Sequence, residues 1–176
     1  MRLHVAAFAL LGLVPVLAAA EVKQASADSL LVQNQRTLRA SPAGVYAALA
    51  EIGQWWSSEH TRSGQAAHLS LAPTAGGCFC ERWDGQSVEH GRVIWASPAR
   101  MLRLDSALGP LQALAVKGVM SFELAPGDGG TVLQFEYRVS GTAGSGLDRL
   151  APAVDAMLMA QLDRLQHYVE RGKAGG

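Results

Sequence analysis

The rhythm of apolar positions changes several times along the chain. Residues 5–14 (VAAFALLGLV) are apolar without a break. Residues 30–39 (LLVQNQRTLR) read as a first strand with one side exposed. Ser41-Pro42 then signals a helix start: a serine cap, followed by a proline at a position that needs no N–H. Over residues 42–56, Val45, Leu49, Ile52 and Trp56 share one stripe, which predicts a helix that Gly53 weakens near its end. The polar stretch 57–65 (SSEHTRSGQ) separates this helix from a run of strands.

From there a period of two takes over. Strands are predicted at 67–72, 78–84, 87–95, 100–106, 115–125 and 131–139. Asp84-Gly85, Ser97-Pro98 and the run Pro126 to Gly130 mark turns, while 107–115 (ALGPLQALA) reads as a loop or short helix. Beyond the glycine-rich residues 141–146, apolar residues from Leu147 to Val169 recur at helical spacing and predict a long amphipathic helix over 147–170. Short turns imply antiparallel pairing, and such a sheet has one face to bury. The terminal helix is the obvious cover, so the fold class is α+β, with a cavity expected between sheet and helix.

Alternation also sorts side chains by face. Phe79, Glu81 and Trp83 fall on the inner face of their strand, and Cys78 and Cys80 on the other. Leu102 and Leu104, then Met120 and Phe122, then Leu133, Phe135 and Tyr137 form the inner sets of later strands. Residues 88–95 resist sorting, because both faces mix apolar and polar groups. If Val88, His90, Arg92 and Ile94 point inward, His90 and Arg92 can meet Glu81 across the hairpin.

Composition then narrows the setting. Arg2, the apolar run and Ala18-Ala19-Ala20 before Glu21 have the three parts of a secretory signal, so residues 1–20 are expected to be removed. The run is too short for a comfortable membrane span, no cysteine near the cleavage point suggests a lipoprotein, and no later segment reads as transmembrane. This leaves no stable membrane anchor and a periplasmic location. Residues 21–29 read as a polar tail, 30–171 as one domain, and 172–176 as a frayed end. Without Arg2, 14 basic residues face 15 acidic ones, a balance that gives no footing for nucleic acid. Cys78 and Cys80 stand two apart, with Cα atoms about 6.5–7 Å apart in an extended strand. That is the long edge of disulfide geometry, so free, packed thiols are expected, although an oxidising compartment permits a bridge.

Glu81 is the sharpest candidate, since a carboxylate between aromatics on a buried face must be paired, protonated or at a ligand. Trp55-Trp56 with His60 could form an aromatic gate, or simply anchor a loop. The candidate ligand-binding set is Trp56, His60, Glu81, Trp83, His90, Arg92, Met120 and Tyr137. His68 and His167 read as surface residues. No nucleophile elbow, metal-site histidine spacing, phosphate loop or dinucleotide motif is present, so no catalytic set, metal or cofactor is assigned. Nothing in the pattern sets an oligomeric state.

Several stretches also carry a resemblance. They are Ser41 to Leu49, Trp55-Trp56, Gly76 to Glu81, Val88 to Val93, Pro98 to Leu104, Leu108 to Gln112 and Gly130 to Leu133. In these the chain resembles a START-like domain of the polyketide cyclase and lipid-transfer (SRPBCC) superfamily. Within it, the chain looks most like bacterial proteins grouped with the activator of the heat-shock chaperone ATPase. The resemblance implies a helix-grip fold and a small hydrophobic ligand, lipid-like or polyketide-like, as partner. Some members are cyclases or hydratases, and Glu81, His90 or Arg92 could then supply the acid–base group. Export argues against chaperone activation. A carrier for an apolar ligand is the leading expectation; an enzyme on an apolar carbonyl compound and a ligand-free interaction module are the alternatives.

Overall fold

The computed structural model describes residues 21–171. The expected signal peptide and the carboxy-terminal tail lie outside the described residues. The chain runs β1 (Glu21–Ser26), β2 (Ser29–Leu38), α1 (Pro42–Ala50), α2 (Ile52–Trp55), β3 (Leu69–Leu71), β4 (Cys78–Trp83) and β5 (Gln86–Ser97). It continues through β6 (Met101–Asp105), β7 (Lys117–Gly127), β8 (Gly130–Ser140) and α3 (Leu147–Arg171). All eight strands join one antiparallel sheet in the order β1-β2-β8-β7-β6-β5-β4-β3. From β3 to β8 the sheet is a plain meander, and β2 closes on β8. The curved sheet wraps α3, which is the helix-grip arrangement.

Three expectations need correction. The first concerns residues 21–26, read as part of a polar tail, which form β1 and pair with β2. An edge strand needs no apolar face, so its sequence carries no alternation to detect. The turn at Ala27-Asp28 sets the hairpin instead. Ser26 donates to Asp28 Oδ1 at 2.6 Å, and the turn carbonyls of Asp28 and Ala27 accept from Gly141 and Leu147 at the foot of α3.

The second concerns the helix predicted over 42–56, which is two helices broken at Glu51. The Ser41 cap is present, its hydroxyl accepting from Gly44 N at 3.2 Å. The break lets the chain turn against the Ala66–His68 segment. Gly53 permits that contact, because a Cβ there would sit 3.0 Å from the Leu69 carbonyl oxygen.

The third concerns Cys78 and Cys80, expected as free thiols, which are joined as a disulfide. Their Cα atoms are 5.4 Å apart, closer than an extended strand gives, and the pairing of β4 with β5 is irregular at the same point.

That irregularity also explains why residues 88–95 resist sorting. Phe79 pairs with Gly91 and Cys80 with Glu89, so His90 is an extra residue in β5. A second shift skips Ile94 between Val93 and Trp95. Each bulge reverses the alternation. His90 and Val93 are therefore buried, while Arg92, Ile94 and Trp95 are exposed.

The core lies between the inner sheet face and α3. Leu30, Val32, Leu104, Leu133, Phe135 and Val139 of the sheet belong to one buried cluster with Leu158, Leu162 and Leu165 of the helix. Tyr137 is fully buried among them and clamps the end of β6: its hydroxyl donates to Ser106 O at 3.0 Å and accepts from Leu108 N at 3.1 Å. Burial outweighs the Leu108 bond and pushes that phenol up to about 12. Among the described residues, no helix is long and apolar enough to cross a membrane.

Candidate functional site

At one end of the core the packing opens into a cavity of about 380 Å³. The sheet supplies Leu69, Phe79 and His90. The first half of α3 supplies Leu150, Ala153, Val154 and Met157. Two connections form the rest of the wall: residues 59–62 with Trp56, and residues 108–111. The lining is mainly apolar, with His90 as its buried polar group.

Trp56 is placed by α2 and by the far half of α3. Ser57 N donates to Gln161 Oε1 at 2.8 Å, and Arg164 Nε donates to Trp55 O at 2.7 Å, so the helix fixes the backbone on both sides of Trp56. The Trp56 indole N–H donates to His60 O at 3.1 Å, and its ring meets Phe79 edge-on with centroids 5.7 Å apart. Trp55 is buried as well, its indole N–H on Ala48 O at 2.8 Å. Of the expected gate residues, Trp56 lines the cavity and His60 stands exposed at its mouth.

Glu81 has no solvent exposure and lies directly behind the cavity wall. One carboxylate oxygen accepts from Arg62 N at 2.9 Å and faces His90 Nε2 at 2.8 Å; the other accepts from Ser63 N at 2.5 Å. Burial alone raises a carboxyl group's pKa. Here the Ser63 hydroxyl, the two backbone N–H groups and His90 together outweigh burial and hold Glu81 down at about 2. An ionised carboxylate can only accept, so Nε2 of His90 carries the proton between them. In the neutral ring the lone pair then sits on Nδ1, which has no hydrogen-bond partner among the described residues. The bulge in β5 thus places an oriented imidazole in the cavity wall, with one ring nitrogen unpartnered among the described residues. Bulges recur beside binding and catalytic sites for this reason: they re-aim a side chain.

The structure separates the other candidates from this site. Arg92 points to the outer face, ion-paired with Glu89 and donating to Gly76 O at 2.8 Å. Trp83 is half-buried at the hairpin end of β4, paired with Gln86, and does not line the cavity. Met120 is buried in the core between its cross-strand partners Leu104 and Tyr137. Tyr137 is committed to its clamp. His68 is half-buried rather than on the surface, and His167 is exposed as expected.

Sequence reasoning missed the residues that hold Glu81. The stretch 57–65 is more than a spacer: Arg62 and Ser63 donate backbone N–H groups, which leave no signature in side-chain identity. Arg62 also reaches across the mouth to Gly109 O at 3.2 Å and ties the two connections together. As to metals, Cys78, Cys80 and Glu89 bring their donor atoms within 4.8 Å of one another on the outer face. Joined as a disulfide, the sulfurs offer no thiolate, and only Glu89 remains as an anionic donor.

No protein-family model matches the chain, and no curated protein matches it significantly. Solved structures do. Protein MLL2253 from Mesorhizobium loti is 19% identical with a TM-score of 0.59, covering 80% of this chain and 97% of that one. DynU16, a protein in the dynemicin biosynthetic locus, is 21% identical with a TM-score of 0.58; the match covers 81% of this chain and 48% of DynU16. CalU16 from Micromonospora echinospora is 16% identical with a TM-score of 0.52, covering 83% and 84% respectively. These likenesses establish the fold.

Proposed function

We propose that the chain binds one small, mainly apolar molecule in this cavity, with a polar atom of that molecule hydrogen-bonded to His90. The observation that carries the reading is a built cavity of about 380 Å³, mainly apolar, whose one buried polar group is an imidazole oriented by a buried carboxylate. Volume and lining are those of a small-molecule site. A carrier in the START-like manner accounts for both, and residues 1–20 support placing it in the periplasm. That DynU16 belongs to a biosynthetic locus supports a small organic ligand of lipid-like or polyketide-like character.

A second reading rests on the Glu81–His90 pair itself. A carboxylate that orients an imidazole is also what acid–base catalysis requires, and Nδ1 would take the proton from an apolar carbonyl substrate. A substrate screen on wild type and on His90→Gln separates the two. Turnover that disappears in the variant favours the enzyme.

The carrier reading is tested by native mass spectrometry of protein purified from its host, with Val154→Trp as comparison. Val154 is buried and lines the cavity, so the indole fills it. A small molecule should accompany the wild type. Binding of the fluorescent aromatic anion 8-anilinonaphthalene-1-sulfonate should weaken about tenfold or more in the variant, a loss on the scale of one filled apolar subsite. Equal binding by both proteins would remove the cavity as the site.

A further inference from the structure

The outer face of β4 carries a feature that ligand binding leaves unused. The Cys78–Cys80 disulfide encloses a single residue, Phe79. Chain-entropy stabilisation by a cross-link grows with the logarithm of the enclosed loop, so this bridge lies at the bottom of that scale. It holds no distant parts of the chain together. What it fixes is the strand at Phe79.

Phe79 points the other way, into the cavity wall. It meets Trp56 at 5.7 Å and the His90 ring at 5.1 Å between centroids. The bridge holds its neighbours at a Cα separation of 5.4 Å, against about 6.5 Å for residues two apart in an extended strand. The register shift that admits His90 falls between Phe79 and Cys80. Opening the bridge allows β4 to extend at Phe79, and the aromatic contacts with Trp56 and His90 must shift with it. The effect reaches the opposite wall too, because Gln112 donates to Glu89 O at 2.7 Å and so ties the Gly109–Leu114 segment to the bulge.

We propose that Cys78–Cys80 is a thiol–disulfide exchange site whose oxidation state sets the shape of the cavity wall at Phe79 and His90. The second half of the proposal rests on the cavity being a ligand site. The co-reactant is a dithiol reductant. Cys78 is half-buried and Cys80 buried, so the incoming thiolate attacks the sulfur of Cys78. The bond to Cys80 breaks, and Cys80 leaves as a thiolate and takes a proton. The second thiol of the reductant then displaces Cys78 as a thiol and closes the reductant's own disulfide. Two electrons pass to the protein, and the reductant is oxidised. Glu89 stands beside both sulfurs, but its ion pair with Arg92 offsets the charge an approaching thiolate meets.

The experiment uses the folded protein at neutral pH, with dithiothreitol as reductant and iodoacetamide as thiol label. Without denaturant, reduction should open the half-buried Cys78 thiol to alkylation, read by mass against the unlabelled oxidised protein, and change the tryptophan emission. Affinity for 8-anilinonaphthalene-1-sulfonate should shift by roughly two- to tenfold, the range for one displaced aromatic contact, and return on reoxidation. A protein carrying both Cys78→Ser and Cys80→Ser should hold the reduced value and ignore the reductant. Thiols that label only after unfolding would overturn the exchange site. Labelling with unchanged emission and unchanged affinity would overturn the coupling to the cavity. If Val154→Trp fails to weaken probe binding, it is the cavity reading that fails; the exchange site and the movement at Phe79 are then decided by labelling and emission, which need no ligand.

Discussion

Replacing Glu81 by Gln should cost stability that depends on pH in a defined direction. The carboxyl group is held at about 2 in the folded protein, against a reference value of 4.5. A depressed pKa means that the ionised form is favoured by folding. Its contribution is complete above the unfolded value and is lost as pH falls from about 4.5 to about 2. The drop from 4.5 to about 2 is worth about 3 kcal/mol at neutral pH as the upper end. Glutamine keeps one acceptor oxygen but turns an amide N–H toward a donor, leaving a buried hydrogen bond unmade, which points to a loss of about 2–3 kcal/mol. Urea unfolding of wild type and Glu81→Gln measures the gap. It should be about 2–3 kcal/mol at pH 7 and should shrink by more than half near pH 2.5. A gap that is the same at both pH values would refute the electrostatic account and leave only a packing defect.

Three further outcomes are expected of the same structure. Tyr137→Phe removes a hydroxyl that serves both Ser106 O and Leu108 N, and should cost about 1–3 kcal/mol in urea unfolding. The Tyr137 phenol, pushed up to about 12, should be the last tyrosine to ionise in an ultraviolet titration, and its absence in the variant identifies it. Gly118→Ala places a methyl group 2.0 Å from the Ser106 carbonyl oxygen, so the β6–β7 junction must part; a loss of about 3 kcal/mol or more, roughly 10 °C in Tm, is expected.

The sheet and α3 were legible because their burial is periodic: Leu133, Phe135, Tyr137 and Val139 alternate, and Leu158, Leu162 and Leu165 keep helical spacing. Glu81 was legible as a buried carboxylate flanked by aromatics. What holds it was not, since the donors are backbone groups of Arg62 and Ser63. The inner face of β5 was illegible for a different reason. An inserted residue reverses alternation without changing composition, so Arg92 looked as inward as His90. Trp83 and Met120 entered the candidate set through parity alone. Parity gives the face of a sheet but not the place along it where the core opens. The bond between Cys78 and Cys80 depends on a local departure from full extension that spacing does not reveal.

The extra residue at His90 has a consequence for kinship. A bulge is, in an alignment, a one-residue insertion inside a strand. Two proteins can share the whole sheet while one carries this histidine and the other has nothing opposite the glutamate. At 16–21% identity, a sequence comparison will slide such a strand by one position and pair His90 with a neighbour's outward side chain. Relatives that share the site, rather than the scaffold alone, are better sought by superposing coordinates. The mark to look for is an imidazole standing out of register across the hairpin from a buried carboxylate. A ligand found for one protein that carries that mark would inform the others that carry it.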